Sequence, residues 1–276
     1  ITSENALAQR YIAEIDICFN APSVRGALIE EGLQWAELFS PPVLLLPIWQ
    51  EPSGVRVWTR SILWLDRWQA FSQKSDKLMR FTILEPDLAL ERSLPATPLL
   101  MRETDMLAKA ASAAGAVQLV WLYAGLDYSK QVPELIMLAE LYDDNGAMLA
   151  VVGQERRILD GQTNLHAAFD AFQEDVTNVL EIGWRSSNLY AVDNRDEILI
   201  SVEISAIGEW YDIRRQLSEL GSIADLSVVS LTARKGILKA QLSGSVEAVQ
   251  LGLRQQGYAL RQSTADGQYS LRPLLN

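Results

Sequence analysis

One cysteine, Cys18, and one histidine, His166, are the only thiol and imidazole in the chain, set against 35 Asp and Glu. A Ser–His or Cys–His catalytic pair would therefore have to use His166. That residue opens a helical pattern beside Leu165 and close to Asp170. A helix N-terminus disfavours a cation, so His166 is expected as an exposed first-turn residue and not as a general base. Cys18 falls on a strand pattern beside Phe19 and reads as a small apolar packing residue. A single Cys excludes an intrachain disulfide and any zinc site made of Cys or His pairs. The sequence has no G-x-S-x-G, no P-loop and no G-x-G-x-x-G, so the commonest nucleophile and phosphate-binding frameworks are missing.

Carboxylates are plentiful and could serve acid–base chemistry. Glu30-Glu31, Asp143-Asp144 and Glu174-Asp175 are adjacent pairs. Neighbours on a helix do not face each other, which makes the first and last solvated faces. Asp143-Asp144 belongs to a turn, where Asp is favoured by backbone geometry. No twelve-residue calcium loop fits. An acid-dependent hydrolase whose two carboxylates converge only in the fold is a further possibility that spacing does not address.

Tryptophan is the unusual feature. Five of the eight, Trp35, Trp49, Trp58, Trp64 and Trp68, crowd into one short stretch, with Glu51, Arg56, Arg60, Asp66 and Arg67 interleaved. Trp is enriched at interfaces and in ligand platforms. The plain expectation is an aromatic core pinning an irregular connection to a sheet. The sharper one is a partner- or ligand-binding groove built from Trp49, Trp58, Trp64, Asp66 and Trp68, with rings stacking on sugar faces and Asp66, Arg67 or Glu51 bonding hydroxyls.

The elements that would position these residues follow from periodicity. Tyr11–Phe19 alternates as a strand, Asn20 caps a short helix with Pro22 in its first turn, and Gly32 ends it. After Pro41-Pro42, the run Val43–Leu46 reads as a strand buried on both faces. Together these suggest a strand–helix–strand unit with a right-handed crossover. A turn at 52–54, a strand at 55–58, helices at 62–71 and 87–94 and a strand at 81–84 come next. A helix is expected over 101–114, capped by Thr97 with Pro98 at its first position and Gly115 at its end, then a strand over 117–123. Glu134–Tyr142 and Ala147–Ile158 flank Asn145-Gly146, which predicts a hairpin with a type I′ turn. Asn164–Trp184 is a long amphipathic helix, and the polar stretch 185–196 reads as a linker. The last eighty residues give the order β-α-β-β-α-β of a ferredoxin-like unit, with a closing hairpin at 258–272.

The expected fold class is therefore α/β (α+β): a mixed-sheet α/β domain over 1–190, followed by a small ferredoxin-like domain over 197–276. Charge placement supports that boundary. Residues 1–196 hold 16 basic and 27 acidic side chains, whereas 197–276 hold 8 of each. A net charge of −11 argues against nucleic acid or anionic lipid as the main partner. The acid excess serves solubility, or docks a basic partner. Apolar stretches such as Val43–Trp49 and Ala116–Leu126 are too short to span a bilayer, so no transmembrane segment is expected. The chain opens on Ile1 and not Met, which points to a processed or trimmed product.

At Pro41-Pro42-Val43-Leu44-Leu45-Leu46-Pro47-Ile48-Trp49-Gln50 the chain resembles a bacterial family known only as domain of unknown function 2066. The upstream Tyr11–Asn20 strand, with Val24-Arg25, Leu28 and Gly32, belongs to the same likeness, as do Leu63-Trp64 and Trp68. It covers the first seventy residues. Where the family pattern has Trp-Asp-Asp and Asn-Pro-Trp-Arg, this chain has the shorter Trp64-Leu65-Asp66-Arg67-Trp68. The middle of the chain is similar in element order to the amino-terminal domain of the Tol translocation protein. The penicillin-binding-protein activator lipoproteins and the curli secretion lipoprotein share that domain.

These resemblances imply a Gram-negative envelope or periplasmic protein, with a signal peptide upstream, and carry over no catalytic residue. The expected function is a non-enzymatic envelope protein acting through protein–protein contacts, with no cofactor and no metal. The alternative is a glycan- or small-ligand-binding module.

Overall fold

The computed structural model describes residues 3–7, 10–14, 19–59, 62–75, 77–129, 131–160, 164–190, 196–263 and 267–274, with side chains from Phe19 onward. The chain divides into two compact units, 38–187 and the combination of 1–37 with 188–276. The first 37 residues, assigned on sequence to the same domain as the middle of the chain, thus pack with the carboxy-terminal part. Trp35 and Tyr190 make that link: the Tyr190 amide donates to the Trp35 carbonyl at 2.8 Å and the two rings meet edge-on at 5.7 Å.

The chain begins with a hairpin, β1 (Ser3–Leu7) antiparallel to β2 (Arg10–Glu14). The expected strand Tyr11–Phe19 is realised as β2, and the rest of it, with Cys18, lies outside the described residues up to Phe19. β2 pairs with β1 in a separate sheet, so among the described residues no strand–helix–strand crossover joins it to β3. A short hairpin closes a much smaller loop than a crossover, so its entropic cost is lower. Helix α1 (Ala21–Glu30) follows as expected. Asn20 Oδ1 accepts from the Ser23 amide at 3.0 Å, and Gly32 takes the left-handed conformation that closes the helix.

In the unit 38–187, β3 (Pro42–Glu51) is an interior strand. Val43 and Leu45 face one core, and Leu44, Leu46 and Ile48 face another. A turn leads to β4 (Gly54–Arg56), then α2 (Leu63–Lys74), β5 (Arg80–Thr82), α3 (Leu88–Ser93), α4 (Ala96–Leu100) and α5 (Thr104–Ala113). Strands β6 (Gln118–Asp127), β7 (Glu134–Asp143) and β8 (Met148–Ile158) complete the sheet, and α6 (Leu165–Ser187) closes the unit. The sheet order is β4-β3-β6-β7-β8, with β5 also on β3. Pairing is parallel for β3 with β5 and β6, and antiparallel across β6-β7-β8. Helices α2 and α6 pack on one face through Trp64, Trp68, Phe169, Phe172 and Val176. Helix α5 packs on the other through Leu107, Ala110 and Ala111.

Two local expectations are corrected. The single helix over 101–114 is broken into α4 and α5, with Pro95 and Glu103 at the caps in place of Thr97. The Glu103 amide donates to Pro98 O at 3.0 Å and the Arg102 amide to Leu99 O at 3.2 Å. That is the Schellman pattern, with Arg102 at φ 58° where glycine usually stands. The Trp121 indole N–H also donates to Leu99 O, at 2.9 Å, so a strand distant in sequence helps to fix the break. The β7–β8 turn, in turn, is not type I′. Only Gly146 has positive φ there, at 78°, and the Gly146 amide donates to Asp143 O at 3.1 Å. The Asp143 carboxylate accepts from the Asn145 and Ala147 amides at 3.0 and 2.7 Å. This side-chain acceptor favours a type I turn followed by a left-handed glycine.

The carboxy-terminal sheet is built from β9 (Glu197–Glu203), α7 (Ile207–Glu219), β10 (Ile223–Leu231), β11 (Lys235–Leu242), α8 (Val246–Gln255), β12 (Tyr258–Gln262) and β13 (Tyr269–Pro273). The expected β-α-β-β-α-β order is present, and the sheet order is β10-β11-β9-β13-β12. A ferredoxin-like sheet would set the strand after α8 directly against β9. Instead β13 takes that place, parallel to β9, and β12 forms the outer edge. The final hairpin thus adds a strand to that plan. Trp210, Ile213 and Leu217 of α7 and Val249 and Leu253 of α8 cover the buried face of β9 and β11. The expected linker 185–196 is helical to Ser187 and leads to a buried Tyr190; residues 191–195 lie outside the described set.

Candidate functional site

Trp64 and Trp68 are 1 % and 0 % exposed and meet edge-on at 5.6 Å. Trp64 packs against Phe169 at 5.0 Å and Phe172 at 6.0 Å, and its indole donates to Leu122 O at 3.3 Å. Trp49 is half-buried against Phe169. Trp58 lies on the opposite side of the sheet and donates to Leu94 O at 2.7 Å. Asp66 is exposed. With Trp58, Leu65 and Gln69 it borders a cavity of about 30 Å³, room for roughly one water. The sheet therefore divides these five residues between two faces, and Trp64 and Trp68 offer no open ring for a sugar. Helix α2 is short and faces α6, so its tryptophans meet phenylalanines rather than solvent.

The residues with chemical potential are similarly occupied. His166 is exposed, and Arg67 Nη2 lies 2.7 Å from its Nδ1. Arg67 also pairs with Asp170. Asn164 Oδ1 accepts from the His166 amide at 3.0 Å and caps the helix, so the first-turn expectation for His166 fits its place. Glu181, 4 % exposed, accepts from the Leu78 and Met79 amides at 3.1 Å each and from Arg185 at 3.0 Å, which pins α6 to the start of β5. Among the described residues no three His, Cys, Asp or Glu side chains gather as metal ligands.

A constellation that sequence reasoning missed surrounds Arg102. Its guanidinium lies 4.1 Å above the Trp121 ring and pairs with Glu140 at 2.7 Å. Tyr142 donates to the same carboxylate at 2.7 Å. Burial pushes the Tyr142 phenol well above its ordinary range, and the Glu140 hydrogen bond and charge add to that shift. Stacking and ion pairing at Arg102 offset the roughly 1–2 kcal/mol of a left-handed side-chain residue. The arrangement fastens the α4–α5 junction to β6 and β7. No signal in the local sequence identifies it, because its members lie up to 40 residues apart along the chain and share no spacing.

The most open chemistry lies on the carboxy-terminal sheet. Helix α7 presents two stripes. Trp210, Ile213 and Leu217 face the core, while Tyr211, Arg214, Arg215 and Ser218, spaced i, i+3, i+4, i+7, border a surface groove of about 450 Å³. Residues 223–226, the start of β10, form the other wall. Tyr211 is 62 % exposed. Arg215 pairs with Asp212 at 3.2 Å on the surface, and Arg214 has no ion-pair partner among the described residues. Asp225 stands on the strand wall of the same groove.

Among the described residues β10 is the outer strand of its sheet, paired only with β11. Its far half is exposed on both faces, with Val228, Val229 and Leu231 at 42 %, 56 % and 44 %. From Leu226 to Ala233 no residue is charged and none is proline. The sequence pattern marked Leu226–Thr232 as a strand, but nothing in it marked this strand as an edge.

No helix among the described residues is long and apolar enough to cross a membrane. No protein-family model matches the chain and no curated protein matches it. Solved structures give partial likenesses. Lipoprotein GNA1162 of Neisseria meningitidis is 14% identical, with TM-score 0.32, over 51% of this chain and 97% of its own. The hypothetical protein CT253 of Chlamydia trachomatis is 10% identical, with TM-score 0.30, over 52% and 96%. The PelC dodecamer of Paraburkholderia phytofirmans is 13% identical, with TM-score 0.31, over 53% and 92%.

Proposed function

We propose that the chain is a non-enzymatic protein-binding module, which holds an extended segment of a partner protein by strand addition at β10. The observation that carries this is an edge strand exposed on both faces, with an uncharged run over 226–233. A free edge offers a row of unpaired backbone donors and acceptors to a second strand. Main-chain hydrogen bonds then supply affinity, and side-chain pockets supply selectivity. The envelope setting implied by the Pro41–Gln50 resemblance gives the compartment in which such a partner is sought.

The test is site-specific photo-crosslinking in cells. A photoreactive residue at Val229 is expected to give one discrete adduct with another protein, lost when Val228 is changed to Lys. The same probe at Val151, on the edge of the other sheet, is expected to give none. An adduct at Val151 with none at Val229 would place binding elsewhere and sink the proposal.

A further inference from the structure

We infer that the occupant of the α7–β10 groove is an extended acidic peptide segment, running along β10 as an added strand with a carboxylate on Arg214. This rests on the strand-addition reading and adds the chemistry of the partner.

Charge complementarity carries it. Strands in a sheet lie about 4.8 Å apart, and their side chains alternate between faces. A strand added outside β10 would send every second side chain toward the face that α7 covers. There it meets the stripe Tyr211, Arg214, Arg215 and Ser218. Arg214 has no ion-pair partner among the described residues, and its planar fork suits a carboxylate bidentately. Arg215 is already shared with Asp212, so it adds positive potential more than a second anchor. Tyr211 contributes an exposed ring beside the groove, against which an apolar neighbour of the acid can pack. Asp225, on the strand wall, disfavours an acid directly opposite it. The carboxylate is therefore placed on the helix side.

The experiment is selection of a displayed random decapeptide library on the full chain, followed by anisotropy titration of the enriched peptides. The expected products are β-prone sequences with Asp or Glu at one fixed position. The double variant Arg214→Glu, Arg215→Glu should weaken them at least about 10-fold and select Lys- or Arg-bearing peptides instead. Raising the salt should weaken binding to the wild-type chain.

Enriched peptides without a charge preference, unaffected by the double variant, would overturn the acidic partner while leaving strand addition standing. Peptides that bind equally well to a Val228→Lys, Val229→Lys variant would overturn strand addition itself. A concentration-dependent dimer in light scattering, abolished by those same lysines, would show that a second copy occupies the edge and would also overturn the inference. All four substituted positions are exposed, and unchanged circular dichroism checks that each variant folds.

Discussion

β8 and β10 are both the last strand of their sheet, and both leave apolar side chains in water. Met148, Leu149 and Val151 on β8 are 53 %, 52 % and 55 % exposed, close to the values on β10. Both strands carry two register irregularities against their neighbour, a device that bends an edge away from further pairing. They differ in charge. β8 continues into Glu155-Arg156-Arg157, with Arg157 paired to Glu155 at 2.5 Å and Arg156 near Glu134 at 3.9 Å. β10 has no charge from Leu226 onward. They differ in backing too. On β8, Val152 is buried, and Gly153 lies so close to α6 that a methyl there would come within 2.6 Å of Val176 Cγ2. Charged residues on an edge strand discourage a second strand from adding. β8 holds that safeguard and β10 does not, so only β10 reads as an edge kept available.

The largest effect is expected behind β8. Phe172→Ala removes a buried ring facing Gly153 and should cost about 3–5 kcal/mol, whereas Val229→Ala should stay within about 0.5 kcal/mol; urea denaturation measures both. A β10 variant as costly as Phe172→Ala would mean that this edge is part of the core.

Removing the safeguard on β8 comes next. Glu155→Thr, Arg156→Thr and Arg157→Thr together should turn it into an aggregation-prone edge, seen as time-dependent light scattering at a concentration where the parent chain is stable. Lysines at Val228 and Val229 should reduce scattering in the parent chain, with thermal stability nearly unchanged.

Smaller effects are expected where the units are fastened internally. Arg102→Ala loses the Trp121 stack and the Glu140 pair but keeps the left-handed backbone, and should cost about 1–2 kcal/mol. Arg102→Gly removes the backbone strain and should cost less. The reverse order in thermal unfolding would contradict the Schellman assignment.

The smallest is a pH effect at Tyr190. Burial pushes its phenol up to about 12, with the Glu37 charge adding and Arg25 opposing. A folded pKa above the unfolded value of 10.0 stabilises fully below that value. The contribution is lost as pH rises from there through about 12. Tyr190→Phe should therefore flatten the alkaline loss of stability in that window, followed by circular dichroism.

Much of the local structure was legible from residues alone. Asn20 accepts a hydrogen bond from the backbone three residues on, and the Val43–Leu46 run is a strand buried on both faces. The hairpin at 143–147 was legible in place and not in turn type. The competing term was a carboxylate at Asp143, which holds two amides and changes the preferred geometry. The helix over 101–114 was misjudged because its break depends on Leu99 O, an acceptor claimed by Trp121 from a strand 22 residues away.

The order of residues carries what local chemistry sets: caps, glycine stops, alternation and the α/β class. It also determined an inventory with one thiol and one imidazole, whatever the fold. The tertiary structure decided which faces meet. The tryptophan stretch reads first as a core and second as a groove, and α6 decides for the core at Trp64 by setting Phe169 and Phe172 against it. Leu226–Thr232 reads as any strand until β11 pairs one side of it and nothing described pairs the other. A ring is buried, and a strand is an edge, through what stands beside it. Those neighbours come from distant parts of the chain, and no periodicity records them.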